Sequence, residues 1–179
     1  MLGLSNSLSG SGYTPPDGYW IVLDGINDHM TLGTRFESYI TAADFSISGW
    51  INSTDISDEQ IIFMTGSAAS GNVYFKVYLK SSKLSVLAEG DSDILLEVTP
   101  NGEAALNDNT WYHIGFTYDH APTPTAITYI NGSAYQTVDI SVTQDDDMTA
   151  PTSDDAKIGR TTAGPGQNFA GKIANFAIF

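Results

Sequence analysis

Apolar and polar residues alternate in short segments along most of the chain, and turn residues separate these segments. In YHIGFTYD (residues 112–119), large apolar residues alternate with His113, Gly115 and Thr117. A period of two residues predicts a strand with one buried face. No segment keeps the period of 3.6 residues that an amphipathic helix requires. About a dozen such segments predict an all-β domain, a two-sheet antiparallel jelly-roll sandwich.

Two turn signals predict hairpins within this series. Asn131-Gly132 lies between TAITYI and AYQTV, and this residue pair tolerates the positive φ angles of a type I′ turn. Asp24-Gly25 lies between YWIVLD and HMTLG, so a short-loop hairpin is expected there as well.

Trp50 interrupts the alternation of the segment FSISGWIN (residues 45–52). Phe45, Ile47 and Ile51 share one face, whereas Trp50 shares the other face with serines. Either a loop or the N-terminal segment buries Trp50, or its ring is a stacking platform for a sugar or a partner.

Residues 1–18 are rich in Gly, Ser, Asn and Pro and predict an arm that precedes a domain at residues 19–179. Leu2, Leu4 and Leu8 have the same parity, so an extended arm presents all three on one side. The arm either folds back on its own domain or docks onto a neighbouring subunit. In the second case we expect the docking contacts at Leu2, Leu4, Leu8 and Tyr13.

The charge and the residue types exclude several classes of partner. The chain has 21 acidic against 7 basic residues, a net charge of −14, which repels the phosphates of nucleic acids. It contains no cysteine, so disulfides and Cys-based zinc sites are excluded. Neither an export signal nor an apolar run long enough for membrane insertion is found, so we expect synthesis in a cytoplasm.

Five acidic residues fall between Gln144 and Ala156, together with Pro151. We interpret this stretch as a solvated loop, with calcium binding as the alternative. A dedicated calcium loop spaces its carboxylates and includes a glycine, and a plain DDD run has neither feature.

Several of these segments together resemble one family. LDGINDHMTLG, FSISGWIN, NTWYHIGFTYD, YINGS and the final IGR…FAGKIANFAIF follow the order found in the laminin-G-like branch of the concanavalin A-like lectin/glucanase superfamily. The resemblance covers residues 20–179 and implies the sandwich fold. Members bind sugars, proteins or lipids, so it does not decide the function.

The resemblance allows two activities of this superfamily to be weighed. Its glucanases carry Glu-x-Asp-x-x-Glu, whose two glutamates supply nucleophile and acid/base. The nearest segment here begins Glu89-Gly90-Asp91 and has Ile94 in place of the second glutamate, so we expect no enzyme activity. Calcium-binding members suggest Asp24, Asp28 and Asp119 as ligand candidates. We otherwise expect no metal or other cofactor, although calcium is the one left open.

The first twelve residues are similar to the starts of small structural proteins of tailed, often marine, phages. This resemblance implies a virion protein that decorates the capsid. We therefore expect a homotrimer on the major capsid protein or other virion subunits, held by its N-terminal arm and located in the virion. The alternative is a carbohydrate-binding module or receptor-binding fibre domain that binds a glycan. Its available aromatic residues are Trp50, Trp111, Tyr129 and Tyr135, most of which belong to the core, and Trp50 is the stacking candidate.

Overall fold

A computed structural model describes residue 15 and residues 18–33, 44–66, 74–89, 94–98, 105–119, 125–136, 155–161 and 166–179. Within these residues the chain forms β-strands and no helix, and so no helix long and apolar enough to cross a membrane. The strands are β1 (Ile21–Asp24), β2 (Met30–Gly33), β3 (Phe45–Ser53), β4 (Gln60–Gly66), β5 (Tyr74–Lys80), β6 (Lys83–Glu89), β7 (Ile94–Val98), β8 (Tyr112–Asp119), β9 (Thr125–Ile130), β10 (Ser133–Gln136), β11 (Ala156–Ile158) and β12 (Ala170–Ile178).

The strands form two six-stranded sheets. The first sheet has the order β1-β12-β3-β8-β9-β10, and the second has the order β2-β11-β4-β5-β6-β7. Every neighbouring pair is antiparallel. The predicted all-β, two-sheet antiparallel jelly-roll sandwich is therefore confirmed.

The inner faces of the two sheets form the core. Phe45 and Phe116 on the first sheet contact Phe75 on the second, and the rings of Phe45 and Phe75 meet edge to face with centroids 5.5 Å apart. The inward residues are those that the two-residue period selects, such as Ile47 opposite Phe116. Each fully buried large apolar side chain stabilises the fold by about 1.5–3 kcal/mol, so the alternation drives the packing of the sheets.

The hairpin between β9 and β10 has the predicted turn. Asn131 and Gly132 have φ angles of 51° and 79°, the two positive values that a type I′ turn needs. The side chain of Asn131 also accepts a hydrogen bond of 2.9 Å from the backbone N–H of His113. The turn therefore ties β9 and β10 to β8.

The predicted hairpin at Asp24-Gly25 is wrong. β1 pairs with β12 in the first sheet, whereas β2 pairs with β11 in the second sheet. The connection crosses from one sheet to the other because each strand completes the edge of a different sheet. A carboxylate oxygen of Asp24 accepts hydrogen bonds from the N–H groups of the next residues and so shapes the crossing loop.

Several sequence predictions concern residues outside the described ranges. The docking residues Leu2, Leu4, Leu8 and Tyr13 lie there, as does most of the acidic stretch. The division of the chain at residue 18 therefore stays a prediction.

Candidate functional site

The outer face of the first sheet carries polar and aromatic side chains in three rows across the strands. In the first row, Val22 lies opposite Lys172, and Lys172 lies opposite Asn52. Their chain neighbours Leu23 and Ile173 are buried in the core. Because successive side chains alternate between faces, the row itself points outward. The second row is Ala174, Trp50 and His113, and the third is Ser48, Gly115 and Tyr129.

Two tryptophan rings lie close together on this outer face, at the end where the first row lies. Trp20 precedes β1 and shares the outward parity of Val22, and Trp111 directly precedes β8. Their ring centroids are 5.7 Å apart, with the planes tilted by 58°. Two strands separate β1 from β8, so the rings must reach over β12 and β3 to meet.

Lys172 completes a cluster with the two rings. Its Nζ lies 5.3 Å from the centroid of the Trp20 ring, within the range of a cation–π contact. Trp20 is 44% exposed despite its size. We call Trp20, Trp111 and Lys172 the tryptophan–lysine cluster, which offers solvent an aromatic surface beside a positive charge.

Trp50, the stacking candidate from the sequence, lies in the second row of the same face. It is only 9% exposed, and the His113 ring packs edge-on against it at 5.1 Å. Burial is thus the environment that the structure gives this residue. Its role in stacking stays a prediction.

His113 adds a polar group beside Trp50. Its Nε2 lies 3.2 Å from the Ser48 hydroxyl, and partial burial lowers the pKa of the imidazole below its usual 6.5. The ring is therefore neutral at physiological pH and has one donor and one acceptor nitrogen. Ser48 lies within the regular strand β3 and not on the sharp turn that exposes a serine nucleophile. The pair accordingly suits hydrogen bonding to a ligand.

The aspartates proposed from the sequence as calcium ligands do not meet in one place. Asp24 lies opposite Ala170, beside the Ser53 end of β3, whereas Asp119 follows Tyr118, which lies opposite Phe45 at the other end of β3. Only Asp24 and Asp28 share a loop. Hydrogen bonds from the N–H groups of Ile26, then Asn27 and Asp28, lower the pKa of Asp24 and occupy its Oδ1. Across the described residues, no group of three or more His, Asp or Glu side chains fits a metal ion.

Glu89, the first glutamate of the glucanase-like segment, lies on the second sheet. The hydroxyl of Tyr74 donates a hydrogen bond of 2.5 Å to its carboxylate. Burial, followed by this bond, raises the pKa of Tyr74 well above its usual value of 10. Tyr74 therefore stays protonated and holds the carboxylate in place. Asp91 lies outside the described residues, and the absence of enzyme activity stays a prediction.

The family is decided by a match over residues 24–179 to the laminin G model described as "Concanavalin A-like lectin/glucanases superfamily". The chain belongs to this laminin-G-like family. This confirms the family resemblance drawn from the sequence and its implied fold. A search of characterised proteins by sequence finds no significant match.

Solved structures of lectin-like domains share the fold of this laminin-G-like chain. The CBM40 domain of the Ruminococcus gnavus IT-sialidase, bound to α2,3 sialyllactose, is 13% identical, with a TM-score of 0.67 and 89% of each chain covered. The NanB sialidase of Streptococcus pneumoniae is 14% identical, with a TM-score of 0.65. The match covers 90% of this chain and 26% of the sialidase chain. Domains LG4-5 of the mouse laminin α1 chain are 12% identical, with a TM-score of 0.56, over 86% of this chain and 40% of theirs.

The sequence did not single out Trp20 as a site residue. One signal was available in the sequence. YWIVLD has apolar residues at both odd and even positions, so a strand there must place an apolar residue on its outer face. The proximity of Trp20 to Trp111 has no such signal, because it depends on the order of the strands in the sheet.

Proposed function

We propose that this laminin-G-like domain binds carbohydrate without catalysis, on the outer face of the first sheet. The observation that carries the proposal is the tryptophan–lysine cluster, where the half-exposed Trp20 ring adjoins Trp111 and the Lys172 ammonium. Sugar rings have an apolar C–H face and a polar rim. An exposed indole with hydrogen-bonding groups nearby matches both parts.

The polar groups for the sugar rim are supplied by the same three rows. Lys172 provides donors, while His113 and Ser48 provide a donor and acceptor pair close to the middle of the face. Gly115 has no side chain of its own, and the side chain of Tyr129 lies against it: a Cβ there would be 3.4 Å from Tyr129 Cβ and 3.6 Å from Tyr129 Cδ2. The outer face therefore continues from Trp20 across the strands to the Tyr129 ring.

The residues of this face favour binding over hydrolysis. Glycoside hydrolysis uses two carboxyl groups on opposite sides of the scissile bond. The nine described residues of the three rows include no Asp or Glu. The similarity to a CBM40 domain solved with α2,3 sialyllactose also supports binding over hydrolysis, as an analogy between folds.

Substitution of Trp20 by alanine tests the proposal. A glycan array first identifies a ligand of the full chain, and isothermal titration then compares the wild type with the variant. We expect Trp20→Ala to weaken binding by at least about tenfold, because a central tryptophan contributes strongly to a binding surface. Circular dichroism verifies that the variant is folded.

Phe179→Ala is the matched control. Phe179 is an aromatic residue that is 72% exposed, and it follows Ile178 at the far end of β12 from Lys172. Its removal should leave the affinity unchanged. If no glycan binds the wild type, this face is not a carbohydrate site; if Trp20→Ala binds as tightly as the wild type, or if both variants weaken binding equally, the tryptophan–lysine cluster is not its centre.

A decorating role on a virion is compatible with this function, because a decoration protein can display a glycan-binding face. It stays a prediction from the sequence, since the residues that suggest it, 1–12, lie outside the described part of the chain. The same holds for the homotrimer and the capsid partner.

A further inference from the structure

The basic residues of this acidic chain are unevenly distributed between the two sheets. The sequence has 21 acidic and 7 basic residues. In the described part of the chain, Lys172 is the only Lys or Arg within a strand of the first sheet. Lys76, Lys80, Lys83 and Lys157 all belong to strands of the second sheet. Among the described strand residues, the positive charge on the outer face of the first sheet thus comes from the Lys172 side chain.

The ammonium of Lys172 also differs from that of Lys76 in its partner. Lys76 pairs with Glu59 at 2.6 Å and lies 4.1 Å from the centroid of the Tyr78 ring. Lys172 makes the ring contact, with Trp20, but among the described residues it has no carboxylate partner. Its row neighbours are Val22 and Asn52, and neither is charged. As far as the described residues are concerned, the Lys172 ammonium is therefore available to an anion that approaches the Trp20 ring.

We infer that Lys172 makes this face select sugars that carry a carboxylate, an inference that rests on the proposed carbohydrate binding. Because Nζ lies over the Trp20 ring, 5.3 Å from its centroid, a sugar that packs against the exposed part of this ring meets the ammonium at its border. A carboxylate there accepts a charge-assisted hydrogen bond, which is roughly twice as strong as a neutral one. A hydroxyl at the same position also accepts a charge-assisted hydrogen bond from the ammonium, but it lacks the negative charge that a carboxylate adds to the pair.

The net charge of −14 opposes an anionic ligand, and Asp24, on the same face in the row next to Lys172, contributes to it nearby. At physiological ionic strength the Debye length is about 8 Å, so exposed charges further away are largely screened. The direct contact with Lys172 is shorter than this and is screened much less. The local pair therefore decides the preference, provided that affinities are compared at one fixed salt concentration.

The test compares two forms of one glycan. The probe is 3′-sialyllactose, and its reference is the same trisaccharide with the carboxylate converted to the neutral amide. Titrations use the wild-type chain, Lys172→Met, which keeps an apolar stem over Trp20 but has no charge, and Lys172→Arg, which keeps the charge. Lys157→Met, on the second sheet, is the control for a general change in charge.

The wild type should bind the carboxylate form about twofold to fivefold more tightly than the amide, the effect of one exposed ion pair, since the amide oxygen still accepts a hydrogen bond from the ammonium. Lys172→Met should bind both forms with equal affinity, and more weakly than the wild type binds either form. Lys172→Arg and Lys157→Met should retain the preference. If Lys172→Met does not fold, Lys172→Gln replaces it.

Failure of this inference is distinguishable from failure of the proposed function. If the wild type binds both forms equally, or if Lys172→Met keeps the preference, the role of Lys172 is wrong while carbohydrate binding stands. If the wild type binds neither form nor any other glycan, the proposed function fails and takes this inference with it.

Discussion

Trp20 and Trp50 lie on the same outer face but differ greatly in exposure, 44% against 9%. Trp50 belongs to the inner strand β3, where Ala174 and His113 flank it on both sides. Trp20 adjoins the edge strand β1, which is paired on one side only within the described residues. At the scale of single residues, an outward side chain on an inner strand can therefore be as buried as a core residue, and a position on the outer face does not by itself make a tryptophan accessible.

His113 should make the stability of the fold depend on pH. Burial lowers its pKa below 6.5 in the folded state, so below that pH the unfolded chain binds more protons than the folded chain. The free energy of unfolding should therefore fall as the pH decreases from about 7 towards the folded-state pKa. Urea denaturation at several pH values measures this slope.

The variant His113→Gln, which does not titrate, should show a flatter slope over the same range. His29→Gln is the control, because His29 is exposed and lies in the loop between β1 and β2. An unchanged slope in His113→Gln would assign the pH dependence to other groups.

At the scale of elements, β12 holds the first sheet together by pairing with both β1 and β3. Gly171 makes the close pairing with β3 possible. Its φ is +145°, and a Cβ there would lie 2.1 Å from the carbonyl oxygen of Asn52 and 2.8 Å from the Cα of Ser53. Both obstacles are backbone atoms, which cannot move aside as a flexible side chain can.

Gly171→Ala should therefore lower the free energy of unfolding by about 3 kcal/mol or more, through backbone strain and displacement of β3. Gly166→Ala is the matched control, since its φ is +114° but nothing lies within 4 Å of its would-be Cβ. It should cost only the strain of the positive φ. Equal losses for the two variants in chemical denaturation would show that the contact with Asn52 is unimportant.

The strands were more predictable than their pairing. Alternation selects the inward face of β3 and β8 directly, because the side-chain period of a strand is fixed. Asp24-Gly25 signals a turn, but it cannot show that β1 joins β12 while β2 joins β11. The partners of both strands come from the last quarter of the chain, and no local pattern encodes a contact between residues so far apart in the sequence.

The candidate site was less predictable than the fold for the same reason. Trp20, Trp111 and Lys172 come from three distant parts of the chain and meet only through the order β1-β12-β3-β8. Trp50 drew attention because it broke a local pattern, and that break identified its face correctly. The pattern could not show that β3 is an inner strand, where an outward tryptophan is buried.

At the scale of the whole molecule, a buried glutamine joins the two sheets near the Ser53 end of β3. Gln60 begins β4 in the second sheet and is 4% exposed. Its Oε1 accepts hydrogen bonds from the Ser53 hydroxyl at 3.1 Å and from the Ala170 N–H at 3.0 Å, both on the first sheet. Its Nε2 donates to the carbonyl of Asp55. The side-chain amide of Gln60 thus hydrogen-bonds to the last residue of β3 and to the first residue of β12.

Gln60→Leu should lower the free energy of unfolding by about 1–2 kcal/mol, because it removes the acceptor of the part-buried Ala170 N–H, whereas the Ser53 hydroxyl keeps the carbonyls of Asp55 and Ala170 as acceptors. A double-mutant cycle with Ser53→Ala separates this polar link from a change in packing. Because the Ser53 hydroxyl loses one of its partners in Gln60→Leu, the two effects should be non-additive by about 0.5 kcal/mol. Additive losses in urea denaturation would mean that the hydrogen bond between Ser53 and Gln60 does not contribute to the stability of the fold.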